Sequence, residues 1–117
     1  MLHLNRGWEM GKIVALYRTK DGDEPFVDWL LSLKDRVVKE RIQARIRRIE
    51  SGNYGDHKRF LGILEIRLDF GKGYRLYCGE KGNTLVVLLA GGDKSTQNKD
   101  IRRAIEYWED YNEQEKN

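Results

Sequence analysis

The chain has 117 residues, of which 22 are Lys or Arg and 19 are Asp or Glu, and its net charge is +3. This length fits one domain with its own core, and no run approaches the roughly 18 apolar residues that a membrane span needs. The single cysteine excludes an internal disulfide framework and fits a reducing compartment, so we expect a cytoplasmic protein. Two histidines with that cysteine have no familiar zinc spacing, and we expect neither a metal nor another cofactor.

The positive charge is concentrated in the middle of the chain. Residues 34–99 carry 15 basic and 8 acidic side chains, whereas the segments on either side are net acidic. A basic segment of this kind is typical of nucleic-acid binding. An ordinary solvated surface has the same composition, so charge alone leaves both interpretations open.

The first half of the chain predicts one strand and two helices. Residues 1–10 match no periodic template, and we interpret them as a leader or as an alternative start ahead of Met10. Residues 12–19 are rich in β-branched and aromatic side chains, which predicts a strand. Pro25 fits the first position of a helix. Residues 35–50 predict a second helix, whose apolar stripe is Val38, Ile42, Ile46 and Ile49.

The second half predicts three strands and a last helix. We interpret residues 53–62 as a loop. Apolar and polar side chains then alternate over residues 64–70 and again over residues 74–78, which predicts a hairpin. Residues 84–90 form a continuous apolar run, typical of a strand that is covered on both faces. The last helix has an apolar face of Ile101, Ala104, Ile105, Trp108 and Tyr111.

The order of the elements is therefore β-α-α-β-β-β-α, in a single domain that spans residues 1–117. Short connections between the last three strands make them antiparallel neighbours. We expect an α+β fold with an antiparallel sheet and with the helices packed on one face of it.

The hairpin places charged side chains together on its polar face. If the turn contains only residues 71–73, Asp69 lies across from Arg75 and Arg67 lies across from Tyr77. Arg67 and Arg75 are then diagonal neighbours, roughly 7–8 Å apart. Two guanidinium groups at that spacing match the oxygens of one phosphate. Asp69 and Arg75 can equally form a simple surface ion pair, and both interpretations stay open.

Two segments resemble the RelE/ParE superfamily of toxins. Residues 64–77 read LEIRLDFGKGYRLY and are similar to the hallmark hairpin of that superfamily. Residues 88–101 read LLAGGDKSTQNKDI and resemble its phage Gp49-like, HigB-like branch of addiction-module killer proteins. The resemblance covers roughly residues 12–110 and implies a RelE-like fold. It also implies the toxin of a type II toxin–antitoxin system that cuts messenger RNA on the ribosome.

The resemblance also implies which residues act. Arg75 follows the Gly-Tyr pair, Arg67 is the basic residue on the preceding strand, and Lys94 follows the last strand. They would surround the scissile phosphate while the 2′-hydroxyl of the messenger attacks it without a metal ion, giving a cyclic phosphate. The arginines would stabilise the phosphorane, and Lys94 is a better acid than an arginine, whose pKa exceeds about 12.

Other residues are weaker candidates for contact with RNA. Tyr77 or Asp93 could orient Lys94 or the substrate. A basic ridge on the second helix could bind RNA backbone, although such a ridge is usually only solvated; it consists of Arg41, Arg45 and Arg48.

Glu65 departs from the pattern of those family members that have a basic residue at its position. A carboxylate there either weakens the positive site or acts as a base.

Two alternatives to a ribonuclease stay open. One is a ParE-like inhibitor of DNA gyrase, since one fold hosts both activities. The other is a degenerate toxin that serves only as a partner, which Glu65 favours. The resemblance implies a helix-turn-helix antitoxin as partner, operator DNA bound through that complex, and the ribosome with its messenger.

Overall fold

The computed structural model describes residues 11–116, so the expected leader at residues 1–10 lies outside the described residues. The fold is α+β, with a five-stranded sheet and three helices. The strands are β1 (Ile13–Leu16), β2 (His57–Phe60), β3 (Ile63–Leu68), β4 (Tyr74–Lys81) and β5 (Leu85–Gly92). The helices are α1 (Pro25–Ser32), α2 (Arg36–Glu50) and α3 (Gln97–Glu115), the last after a 3-10 turn at Lys94–Thr96. Over residues 11–116, none of the helices combines the length and apolarity that crossing a bilayer needs.

Local signals in the sequence set the ends of the first two helices. Helix α1 begins at Pro25, as predicted. Helix α2 begins after Asp35, whose carboxylate accepts hydrogen bonds from the backbone N–H groups of Val37 and Val38. It ends just before Gly52, whose φ of +87° is a left-handed conformation that glycine adopts without strain. The predicted helix at residues 35–50 is therefore confirmed.

The sheet is mixed, which corrects the antiparallel sheet expected from the sequence. Its order is β1-β5-β4-β3-β2, and β2 to β5 are antiparallel neighbours, but β1 runs parallel to β5 with Ile13 opposite Leu85. The prediction is confirmed where short turns join the strands, because a short turn forces the chain to reverse. Strand β1 is followed instead by two helices, and their length leaves its direction open.

Strand β2 lies within residues 53–62, where the sequence predicts a loop, so that prediction is wrong for residues 57–60. A two-residue turn joins β2 to β3, and both of its residues have positive φ, +53° at Leu61 and +80° at Gly62. This is the geometry of a tight hairpin turn. The strand escapes prediction because it lies at the sheet edge with mostly exposed side chains, and because leucine is unusual in that turn conformation.

The helices cover both faces of the sheet, and the expectation of a single covered face is wrong. On one face, Ile66 and Leu76 belong to a buried cluster that includes Phe26 of α1 and Ile42 of α2. On the other face, Tyr77 packs against α3. The reason is visible in the apolar run of β5, whose neighbouring side chains point to opposite faces and are buried on both.

Two glycines allow tryptophan rings to lie directly on the sheet. The indole of Trp108 in α3 covers Gly79 of β4, and the indole of Trp29 in α1 covers Gly91 of β5. A Cβ atom at either glycine would overlap the ring. These contacts therefore fix the distance between each helix and its face of the sheet.

We expect Gly79→Ala to lower the free energy of unfolding by about 1–3 kcal/mol, because the added methyl group forces Trp108 away from the sheet. Denaturant unfolding of the purified proteins measures this. In a Trp108→Leu background the same substitution should cost clearly less. An equal cost in both backgrounds would contradict the contact.

Candidate functional site

The turn between β3 and β4 is longer than predicted, and this changes the register of the hairpin. Leu68 pairs with Tyr74, so residues 69–73 form the connection. Phe70 lies outside the strand: its ring is 5.5 Å from that of Tyr74, and its carbonyl accepts a hydrogen bond from the N–H of Gly73. Aromatic packing in the turn thus replaces the strand pairing that alternation alone suggests.

The corrected register places Arg67 directly opposite Arg75 and Glu65 opposite Tyr77. The expected pairs of Asp69 with Arg75 and of Arg67 with Tyr77 are therefore wrong. Because the shift is two residues, each side chain keeps its predicted face of the sheet. The two arginines are consequently closer neighbours than the diagonal arrangement implied.

Glu65 lies between the two guanidinium groups. Its Oε1 is 3.7 Å from Nε of Arg67, and its Oε2 is 3.9 Å from Nε of Arg75. The amide of Gln97, in the first turn of α3, donates a hydrogen bond of 3.0 Å to Glu65 Oε2. The Glu65 side chain is only 3% exposed, so this carboxylate is a buried link between the arginines and α3.

The side chains of Arg67 and Arg75 differ in how exposed they are and in how firmly they are held. Arg75 is 10% exposed in its side chain and donates from Nη1 to the carbonyl oxygens of Gly73 and Tyr74. Arg67 is 34% exposed and lies 3.7 Å from the Asp56 carboxylate. Within residues 11–116, neither Nε has a hydrogen-bond partner. Arg75 is a fixed charge and Arg67 a more adjustable one; because both Nε atoms are buried, an anion has to approach through the Nη groups.

Lys94 reaches the same place from the end of β5. The position that a Cβ of Gly73 would take is 3.0 Å from Lys94 Cδ and 3.6 Å from Arg75 Nη1. Gly73 thus leaves room for the lysine stem beside the arginine, and its φ of +74° also favours glycine. The structure therefore brings Arg67, Arg75 and Lys94, the three expected catalytic residues, to one region.

Tyr77 and Asp93, which were expected to orient Lys94 or the substrate, both have well-defined contacts within the protein. Tyr77 is fully buried, and burial together with the nearby Glu65 carboxylate raises the pKa of its hydroxyl. Asp93 caps the 3-10 turn before α3: its Oδ1 accepts hydrogen bonds from the Ser95 hydroxyl and the Ser95 N–H. The Ser95 hydroxyl is also the main reason why the pKa of Asp93 is lowered.

The expected basic ridge on α2 is mostly engaged within the protein. The guanidinium of Arg41 lies 3.8 Å from the centre of the Phe70 ring, and Arg45 donates a 2.7 Å hydrogen bond to the carbonyl of Arg67. Burial, followed by the charge of Arg48, lowers the pKa of Arg45. Arg48 itself is exposed. The ridge therefore supports the hairpin more than it offers a row of free charges.

Sequence reasoning missed two members of this site. Gln97 and Asp56 both contact the charged network, yet they lie far from β3 in sequence or in an unpredicted part of the sheet. Gln97 belongs to the same conspicuous segment as Lys94, which was the available signal. The sequence carried no such signal for Asp56, because the strand next to it, β2, was not predicted.

Comparison with known proteins gives one informative match. The sequence is 51% identical to a protein of Haemophilus influenzae described as "Uncharacterized protein". The match extends over 80 residues, which are 68% of this chain and 81% of that protein. This chain belongs to the same family as that protein. No protein-family model matches the chain, and no solved structure matches it. None of these comparisons names an activity, so the resemblance to RelE/ParE toxins stays a prediction.

The cap at Asp93 predicts a pH-dependent stability. Because folding lowers its pKa, the ionised carboxylate stabilises the fold above its unfolded pKa of about 3.9, and this stabilisation disappears as the pH falls through the lower folded value. We expect Asp93→Ala to cost about 0.5–2 kcal/mol at neutral pH. The difference from the natural protein should shrink in acid.

Denaturant unfolding at about four pH values, from about pH 7 down to about pH 2.5, measures this difference. Asp21→Ala is the matched control, since Asp21 is an exposed acid in a turn. A cost for Asp93→Ala that stays constant down to the lowest pH would show that its charge plays no part in the cap.

Proposed function

We propose that this protein is the toxin of a type II toxin–antitoxin system, of the RelE/HigB-like kind, and that it cuts messenger RNA on the ribosome. The observation that supports this most directly is the position of Arg67 opposite Arg75, with Lys94 beside them. The finer, RelE-like classification of the fold is part of the same proposal. It is supported by the order of a strand, two helices, an antiparallel meander and a C-terminal helix.

The proposed reaction is transesterification of one phosphodiester. The 2′-oxygen forms a bond to phosphorus while the bond from phosphorus to the 5′-oxygen breaks, which leaves a 2′,3′-cyclic phosphate and a free 5′-hydroxyl. Negative charge grows on the phosphorane oxygens as this happens. Arg75, held in place by the turn carbonyls, and Arg67, which can adjust, would stabilise that charge.

Two protons must move in this reaction. Lys94 is the best donor to the departing 5′-oxygen, because it is exposed and adjoins Arg75. The proton of the 2′-hydroxyl passes to water. Glu65 is poorly placed to accept it, since its carboxylate is 3% exposed and already engaged by two arginines and Gln97. We assign Glu65 to positioning the arginines.

The partners follow from the same proposal. The toxin would act in the cytoplasm on the ribosome and its messenger, with exposed basic residues such as Arg48 facing ribosomal RNA. A helix-turn-helix antitoxin would neutralise it, and the complex would bind operator DNA through the antitoxin.

One observation favours a second candidate, a catalytically silent toxin that serves only as a partner of its antitoxin. Glu65 lies between both guanidinium groups and reduces the net positive charge there. Such a protein would fold in the same way and bind its antitoxin but would not arrest growth.

The proposal is tested by inducing the protein in cells and mapping RNA ends that carry a 5′-hydroxyl within minutes. We expect new cuts inside translated frames. Lys94→Ala and Arg75→Lys should each reduce them by on the order of 100-fold, because each removes a group that acts in the transition state. Lys94 is exposed, so its substitution leaves the core intact.

Lys34→Ala is the matched control, since it removes a lysine from the loop between α1 and α2, away from the arginine pair. It should cut like the natural protein at equal protein level. Growth arrest without new cuts would overturn the ribonuclease and direct attention to another target such as gyrase. No arrest at all would favour the silent partner.

A further inference from the structure

A polar hollow lies at the start of α3, next to the arginine pair. Its volume is about 540 Å³, and three cationic side chains line it, Lys94, Lys99 and Arg102. The remaining lining residues are uncharged and polar, and they include Gln97 and Asn98. Neither a carboxylate nor a large apolar side chain contributes to its wall within the described part of the chain, so its chemistry suits an anion.

The three cations of this hollow lack a carboxylate partner. Among the described residues, no Asp or Glu oxygen lies within 4.0 Å of their nitrogens. On α2, Arg36 pairs with Glu40 and Arg45 donates to a carbonyl, whereas Arg47 and Arg48 likewise have no carboxylate of residues 11–116 within that distance. Like charges that face one hollow repel each other, and a bound polyanion relieves that repulsion.

The hollow is continuous with the candidate catalytic residues. Lys94 belongs to both, since its stem lies against Gly73 beside Arg75. Gln97, on the wall of the hollow, donates to Glu65 between the arginines. An RNA strand whose scissile phosphate contacts Arg67 and Arg75 therefore has its neighbouring phosphates within reach of the hollow.

We propose that this hollow binds the backbone phosphates of the messenger next to the scissile one, so that the strand crosses the start of α3 and not the basic face of α2. This inference rests on the proposed function, which makes messenger RNA the substrate and places its scissile phosphate at Arg67 and Arg75. Lys99 and Arg102 then bind substrate, while Lys94 serves both the hollow and the reaction.

The test is binding of a short single-stranded oligoribonucleotide that is 2′-O-methylated throughout and therefore cannot be cut. Fluorescence anisotropy measures its dissociation constant over a series of salt concentrations. For the variant K99Q/R102Q we expect the slope of log affinity against log salt to fall by about 1.4, as for two lost phosphate contacts on a single strand. At about 0.1 M salt this is a loss of roughly 25-fold.

The matched control is R36Q/R47Q, which removes the same charge from exposed positions on α2. It should bind the oligoribonucleotide almost as the natural protein does. Equal losses in both variants, a loss confined to the α2 variant, or no binding by the natural protein at low salt would each overturn the proposed path. Circular dichroism of both variants verifies that they are folded.

The outcome is separable from that of the proposed function, which is read from RNA ends in cells. If the natural protein makes no cuts in cells, but K99Q/R102Q alone has a lower affinity for the oligoribonucleotide, the hollow binds phosphate and the toxin proposal fails. If the natural protein cuts RNA while both variants bind equally well, the toxin proposal stands and the hollow is not the path.

Discussion

The buried carboxylate of Glu65 lies between the guanidinium groups of Arg67 and Arg75, and the candidate site depends on this interaction. Two arginines directly opposite each other on adjacent strands would repel if nothing lay between them. Glu65 makes the arrangement tolerable in the folded protein, at distances of 3.7 and 3.9 Å that exceed those of close hydrogen-bonded pairs. The arginines are thus kept together without being fully neutralised, which is what a site for a developing phosphate charge requires.

Gln97 connects this charged centre to the rest of the fold through its hydrogen bond to Glu65. It can do so only if the start of α3 lies close to the sheet. The contact of Trp108 with Gly79 fixes α3 against β4, and the Asp93 cap fixes the turn from which the helix begins. Packing far from the arginines therefore sets their geometry, as it does in sites built on rigid elements.

Most of the fold was predictable, and the errors have physical causes. Pro25 and the Asp35 cap specify helix starts locally, so the helices were found. The direction of β1 and the strand at His57–Phe60 depend on tertiary pairing that no local pattern encodes. The site was half predictable for the same reason. Arg67, Arg75 and Lys94 lie in the two segments that the sequence singled out, whereas the turn packing of Phe70 and the contact of Gln97 exist only in three dimensions.

The most direct test of the account is whether a phosphodiester reaches the two arginines. The Nε–H groups of Arg67 and Arg75 give NMR signals that single Arg→Lys variants assign, and both should be protected from exchange because they are buried. On titration with a 2′-O-methylated RNA dinucleotide, we expect both signals to shift together and to saturate. Unchanged arginine signals, with shifts confined to other parts of the protein, would contradict a phosphate site at this pair.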